Sequence, residues 1–259
     1  MPRISSGVDT LTTALRHISF PYNAVLNLIC KETQYTEIDF STFFSVLVEK
    51  FSSFLVIRSL SLQVAGVAQN GLRFLAWTAA PAPDCFYYSL VPARLELVLT
   101  WPYLHDNNQN HAKTLITALD AMSLPGLTQL QLSTSAHIDS TTWLNTFGKL
   151  PLLEWVHVES YTVQSFLDAL FDETKADDKS IIAHHNISFP KLRHIRISGT
   201  DFTYAKLGSI SVDMLMNCLM ERRERKAEVQ ELRLDHCYNI SEYDIERFKK
   251  LLSMLTGIG

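Results

Sequence analysis

The stretch Val229-Gln230-Glu231-Leu232-Arg233-Leu234-Asp235-His236-Cys237-Tyr238-Asn239-Ile240-Ser241 decides the fold. Its Leu232-Arg233-Leu234 core alternates apolar and polar side chains, the period-two pattern of a strand with one wet face. Three earlier segments share the frame. Pro125-Gly126-Leu127-Thr128-Gln129-Leu130-Gln131-Leu132 matches it position by position. So do Pro151-Leu152-Leu153-Glu154-Trp155-Val156-His157-Val158 and Pro190-Lys191-Leu192-Arg193-His194-Ile195-Arg196-Ile197, and the last copy starts at Ala227. Helical patterns separate the copies. One strand-and-helix unit is therefore used several times.

The polar members of these strands choose between two architectures. A parallel sheet covered by helices on both faces has strands that read as near-continuous apolar runs. These strands place Gln131, His157, Arg196 and Arg233 where a second helical layer would pack. Burying such groups unpaired costs roughly 2–7 kcal/mol each, and more for a charge. The expected fold is therefore α/β: a solenoid whose curved parallel sheet carries helices on one side only. One domain is expected over residues 1–259, with irregular repeats over about 1–123 and clearer ones over 124–255.

The N-terminal half fits the frame loosely. Ser6 and Asp9 have capping-box spacing ahead of Val8, Leu11, Leu15 and Ile18, and Pro21 ends that helix. Val25 to Leu28 reads as a strand. Asp39 or Ser41 opens a helix striped by Phe44, Leu47, Val48 and Phe51, and Ile57-x-x-Leu60-x-Leu62 is the next strand. Leu72-x-x-Leu75-x-Trp77 follows too closely for a full helix between them, which leaves a shortened repeat or a hairpin. Leu95, Leu97 and Leu99 alternate as a strand. Asn107 to Asn110 reads as a polar turn before a helix carrying Ala112, Leu115, Ile116, Leu119 and Met122.

Further on, Asp139, Thr162 and Ser211 are expected to cap helices. The segment Asp172 to His185 reads as a surface insertion. Ser241 and Asp244 form a capping-box variant opening a last helix with Ile245, Phe248, Leu251, Leu252 and Leu255 as its stripe. Full burial of that stripe is favourable by roughly 8–15 kcal/mol before entropy.

Composition excludes several function classes. A formal net charge of −4, from 23 Lys+Arg against 27 Asp+Glu, argues against general nucleic-acid binding. Cys30, Cys85, Cys218 and Cys237 are too far apart to form a metal knuckle or a redox pair, so reduced thiols in a cytoplasmic or nuclear protein are expected. No signal peptide is evident at the N-terminus. No apolar run approaches the length of a membrane span. Without an export signal, the acceptor triplets Asn186-Ile187-Ser188 and Asn239-Ile240-Ser241 carry no meaning.

No Gly-x-Ser-x-Gly elbow, P-loop or Gly-x-Gly-x-x-Gly turn is present, so no catalytic residue and no cofactor is expected. The groups His105-Asp106…His111 and Asp177-Asp178…His184-His185 match no metal-ligand spacing, so no metal is expected. The basic run Arg222-Arg223-Glu224-Arg225-Lys226 reads as a helix C-terminus diluted by glutamates.

The segment Leu232-Arg233-Leu234-Asp235-His236-Cys237-Tyr238-Asn239-Ile240-Ser241 resembles the cysteine-containing leucine-rich repeat. In that repeat the cysteine sits inside the turn after the strand and bonds nearby backbone. The whole chain looks like the divergent F-box/leucine-rich-repeat proteins of mushroom-forming fungi, in its leucine-rich part. The resemblance implies substrate recognition for a cullin-type ubiquitin ligase, with a ligase adaptor as a further partner. It is specific only in the last repeat. The turn position of Cys237 holds Ser135, Tyr161 and Thr200 in the other copies, and no Leu-Pro-x-Glu opening of an F-box is found.

In a solenoid the polar strand residues face the open concave side. The expected rows are Gln129, Trp155, His194, Glu231; then Gln131, His157, Arg196, Arg233; then Ser133, Glu159, Ser198, Asp235. A mixed-charge face with one tryptophan suits a protein segment. The candidate binding residues are Trp155, His157, Glu159, His194, Arg196, Arg233 and Asp235. The expected function is a non-enzymatic interaction module. The alternative is a small α/β enzyme, a hydrolase or nucleotide-binding domain without a recognisable motif.

Overall fold

Two copies of the repeat, those of Leu127 and Leu192, enter their strands through the same turn. The Leu127 amide donates to the Leu124 carbonyl, and the Leu192 amide to the Phe189 carbonyl. The next residues then reach back to the repeat before. Thr128 and Gln129 both donate to the Arg58 carbonyl, Arg193 and His194 to that of Glu154, and Gln230 and Glu231 to that of Arg193. The shared spacing in sequence is thus a shared set of hydrogen bonds between neighbouring repeats.

These contacts come from a computed structural model. It describes every residue except 1–2, 22–23, 32–38, 52–55, 65–70, 80–91, 101–106, 123, 134–137, 160–161, 176–186, 203–209 and 257–259. The described residues form β1 (Arg3–Ser6), α1 (Val8–His17), β2 (Leu26–Lys31), α2 (Ser41–Phe51), β3 (Ser59–Val64), β4 (Gly71–Trp77), β5 (Leu95–Thr100), α3 (Asn107–Ala121), β6 (Gln129–Ser133), α4 (Ser140–Thr146), β7 (Trp155–Glu159), α5 (Thr162–Lys175), β8 (His194–Ser198), α6 (Val212–Glu224), β9 (Glu231–Asp235) and α7 (Glu242–Thr256). The fold is α/β with mostly parallel strand pairing. It divides into two compact units, Met1–His137 and Ile138–Gly259. The division falls after the first clear repeat, whose strand β6 pairs with β3.

In the first unit the strand order is β1-β2-β5-β4-β3-β6. The strands β1/β2, β2/β5 and β3/β6 pair parallel, while β4 runs antiparallel to both β3 and β5. The close spacing after Leu62 therefore makes a hairpin, not a shortened repeat. Its register puts Phe74 and Ala76 beside Leu62 and Leu60, and turns Leu75 and Trp77 to the other face beside Ser61 and Ser59. A shortened repeat would have kept Leu75 and Trp77 on the face of Leu60 and Leu62. The register of the hairpin sets which parity of β4 faces the core.

Leu28, Leu60, Leu62, Phe74 and Leu97 are buried, together with Leu11 and Leu15 of α1, Phe43 and Phe44 of α2 and Leu115 of α3. Edge-on contacts link Phe44 to Phe43 and to Phe74. Three expectations change in detail. β1 had no strand signal. Gly7, not Ser6, caps α1, and it makes no side-chain cap bond. Asn107 to Asn110 is the first turn of α3, not a turn before it.

In the second unit β7, β8 and β9 are parallel and lie in chain order. Their apolar column is Val156 and Val158, then Ile195 and Ile197, then Leu232 and Leu234. The first four are buried and the two leucines of β9 only half-buried. Trp143 of α4 packs on Phe147 and on Phe166 of α5, which meets Phe189 edge-on. The Trp143 indole donates to Ser165 Oγ at 3.2 Å.

Asp139 and Ser211 cap α4 and α6 as expected, accepting from the Thr142 and Met214 amides. Thr162 does not cap α5; it is the first residue of that helix, and its hydroxyl donates to the Glu159 carbonyl. The last box is reciprocal: Ser241 Oγ accepts from the Asp244 amide, and the Asp244 carboxylate from the Ser241 amide. Only part of the α7 stripe is covered. Phe248 and Leu251 are buried, whereas Ile245 is 41% exposed. The basic run does not stay in solvent as a unit: Arg222 is buried and donates to the Ser188 and Phe189 carbonyls. The insertion expected from Asp172 to His185 begins inside α5, and the rest of it lies outside the described residues.

Candidate functional site

Strand period and the shared spacing within each repeat bring the seven candidates together. β7, β8 and β9 align in register, so Trp155, His194 and Glu231 form one row. His157, Arg196 and Arg233 form the next, and Glu159, Ser198 and Asp235 the third. All nine point away from the buried valine and isoleucine column, because successive strand residues face opposite ways. Gln129, Gln131 and Ser133 hold the equivalent face of β6 in the first unit, where they pair with Ser59, Ser61 and Gln63.

The expectation that these residues stand in solvent holds in part. Arg233 keeps 41% of its side chain exposed, and His194, Glu231 and Asp235 are similarly open. It fails for Trp155, 4% exposed, His157, 1%, and Gln131, 0%. Gln131 and His157 are compensated in part, by contacts the sequence did not display, while Gln131 Nε2 has no partner among the described residues. The Ser61 hydroxyl donates to Gln131 Oε1 at 3.1 Å and itself accepts from Gln63 Nε2. His157 Nε2 lies 2.8 Å from Ser198 Oγ, and its ring meets Trp155 edge-on at 5.7 Å. Hydrogen bonding removes most of the penalty of burying a polar group.

Charges on the open part of the face are paired side by side. Arg196 Nε donates to Asp235 Oδ2 at 2.5 Å, Arg233 Nε to Glu231 Oε1 at 2.5 Å, and His194 Nδ1 lies 3.1 Å from Glu231 Oε2. Glu231 thus bridges two strands, and Arg233 donating to it holds its carboxyl below the usual range. Glu231 and Ser198 share this face with the seven candidates although they were not among them. Their signal was their strand parity, the same as that of their neighbours.

Burial sets the protonation of the inner pair. Desolvation, reinforced by the positive charge of Arg196, pulls His157 down to about 3. Desolvation pushes Glu159 up to about 7, against the pull of Arg196. Glu159 Oε1 lies 3.4 Å from His157 Nε2, on the ring nitrogen that also meets Ser198. A serine–histidine–carboxylate triad needs the acid on the other nitrogen, where it orients the ring and supports its protonation. A histidine that gains its proton only near pH 3 is also a weak base at neutral pH.

The turn after the strands is chemically repeated. The Cys237 thiol donates to the Asp235 and Ile197 carbonyls, and burial raises its pKa. Thr200, at the matching position, donates through its hydroxyl to the Ser198 carbonyl. The two turns are joined by the Tyr238 amide on the Thr200 carbonyl and the Gly199 amide on the Asp235 carbonyl. Ser135 and Tyr161 lie outside the described residues.

A second polar cluster lies on the strands of the first unit. Arg73 donates twice to Glu96 Oε1, and Asn27 Nδ2 donates to Glu96 Oε2 at 2.8 Å. Among the described residues, no group of three His, Cys, Asp or Glu is placed to hold a metal ion. Among the described residues no helix is long and apolar enough to cross a membrane. The side chains of the two metal-like sequence groups and Cys85 lie outside the described residues. Compared with protein-family models, with curated proteins and with solved structures, the chain has no match.

Proposed function

We propose that this chain is a leucine-rich-repeat solenoid, helices on one side only, that binds a protein segment through the polar face of its strands and catalyses nothing. One observation carries the reading: nine polar or aromatic side chains of β7, β8 and β9 stand in register on the face opposite the apolar column. Topology supports it. Parallel crossovers are right-handed almost without exception, so crossovers that all step the same way place their helices on the same face. In the second unit both steps, β7 to β8 and β8 to β9, run one way. A doubly wound enzyme reverses its steps at the point where its ligand binds.

The partner is an extended, mixed-charge segment that reads His194, Arg196, Arg233, Glu231 and Asp235. Trp155 and His157 stand beside those side chains on β7 and are buried. Substrate recognition for a cullin-type ubiquitin ligase, in the cytoplasm or nucleus, is the form of this function that the leucine-rich-repeat resemblance suggests. Neither nucleic acid nor a membrane is a proposed partner.

The test is affinity purification from the native cell with wild type and with Arg233→Glu/His194→Ala. Loss of specific partners in the variant, with an unchanged melting curve, is expected. An identical partner set in both would remove this face from consideration, and an adaptor of the cullin type among the lost or retained proteins decides the ligase form. The enzyme reading has one observation in its favour, the 2.8 Å approach of Ser198 Oγ to His157 Nε2. Labelling of Ser198 by a fluorophosphonate would establish it. No labelling is expected, given the misplaced Glu159 and the low basicity of His157.

A further inference from the structure

The last repeat is covered less well than the repeats before it. Val156, Val158, Ile195 and Ile197 are buried, but Leu232 and Leu234 in the same column are half-buried. On the helix that follows, Ile245 is 41% and Tyr243 73% exposed. Among the described residues no strand lies along the outer edge of β9. In a repeat stack each repeat buries its core against a neighbour, and among the described residues β9 has a neighbouring strand on one side only. An open strand edge also offers a row of unpaired backbone groups.

The charges along β9 say what fits there. Its polar face reads Glu231, Arg233, Asp235: negative, positive, negative. Antiparallel pairing of two β9 strands about a two-fold axis at Arg233 sets arginine against arginine and acid against acid. Moving the axis by one residue, to Leu232, sets each Glu231 against Arg233 of the second copy and brings the two half-buried Leu232 side chains together. Directly opposed strand residues lie about 4.5–5.5 Å apart, close enough for ion pairing. The axis at Leu234 also pairs opposite charges, but it runs the strand into His236, whose positive φ of 51° ends the extended backbone.

We propose that β9 pairs antiparallel with β9 of a second copy of this chain, centred on Leu232, giving a two-fold dimer. The four charges then form one network, since Glu231 and Arg233 already bond within each copy. Two-fold association of one patch with itself is the commonest form of protein assembly. Glu231 and Arg233 serve both proposals, so the dimer is read from the mass of the isolated chain, with no partner present.

The experiment measures mass by light scattering or sedimentation across micromolar concentrations, on the full chain. Wild type is expected as a dimer. Glu231→Arg and Arg233→Glu are each expected as monomers, because each sets like charges opposite one another. Mixed one to one, the two variants are expected to form a heterodimer, since each then supplies the charge that the other lacks. The double variant Glu231→Arg/Arg233→Glu should dimerise again. A monomeric wild type would overturn the proposal and leave this edge to another occupant. Single variants that stay dimeric, or a mixture that stays monomeric, would overturn the Leu232 register.

Both side chains are about two-fifths exposed, so the variants are expected to keep the wild-type circular dichroism and melting curve. Should one fail to fold, a salt series on wild type decides. Exposed ion pairs weaken with ionic strength, so dimer mass should fall as salt rises. A mass independent of salt would overturn the pairing.

Discussion

At the scale of single residues, one strand of the polar face, β7, carries opposed pH effects. His157 titrates near 3 in the folded chain against an ordinary 6.5, so its contribution is complete above pH 6.5 and is lost as pH falls toward 3. Glu159 titrates near 7 against an ordinary 4.5, so its contribution is complete below pH 4.5 and is lost as pH rises through 7. The two slopes oppose one another between pH 4.5 and 6.5. Replacing Glu159 by Gln should therefore raise stability at pH 8, by on the order of 1–3 kcal/mol, and leave pH 4 nearly unchanged. Denaturant melts at the two pH values measure this, and an equal effect at both would refute it. Replacing His157 by Gln should remove the loss of stability on the acid side. Trp155→Ala should cost about 3–5 kcal/mol, because the indole is buried and its removal leaves a cavity. A loss of binding in that variant would report unfolding, which is why Arg233 is the better probe of the face.

At the scale of elements, the strand ladder of the first unit turns on Gly71. A methyl group there would sit well inside contact distance of the Leu99 carbonyl oxygen on β5. Gly71→Ala should therefore break the β4/β5 pairing and lower the melting temperature clearly, and an unchanged melt would contradict that packing. In the second unit Arg222 ties α6 to the turn before β8 through two backbone carbonyls. Hydrogen bonds from a charged group contribute about 1.5–3 kcal/mol, so Arg222→Leu should destabilise by roughly that much. The sequence placed Arg222 in a basic run at a helix C-terminus, and nothing local distinguishes it from Arg223 or Arg225. Its partners are carbonyls some thirty residues earlier in the chain. The caps were legible because they are local: Asp139, Ser211 and the Ser241–Asp244 box each bond an amide three residues away.

At the scale of the whole molecule, repeats bury one another, and an interior position should matter more than an end one. Ile197 lies inside the column and Leu234 at its open edge. Ile197→Asp should abolish the cooperative melt of the second unit. Leu234→Asp should lower its midpoint and leave a folded chain. Equal effects of the two would mean that the column has no open end. The N-terminal half shows the other side of the same logic. Its strand spacing left a hairpin and a short repeat equally open, because strand order depends on which distant segments meet.

The amino-acid sequence by itself determined the alternating strands, the shared frame from Pro125 to Ile240 and the rows in which His194, Arg196, Arg233 and Asp235 stand. Equal spacing within a repeat becomes equal register between neighbouring parallel strands, so that information is local and periodic. Tertiary structure alone decided that β4 and β5 insert between β2 and β3, that Trp155, His157 and Gln131 are buried, and that Ile245 is not. Burial is set by what packs against a residue from far away in the chain, and no pattern within ten residues records it.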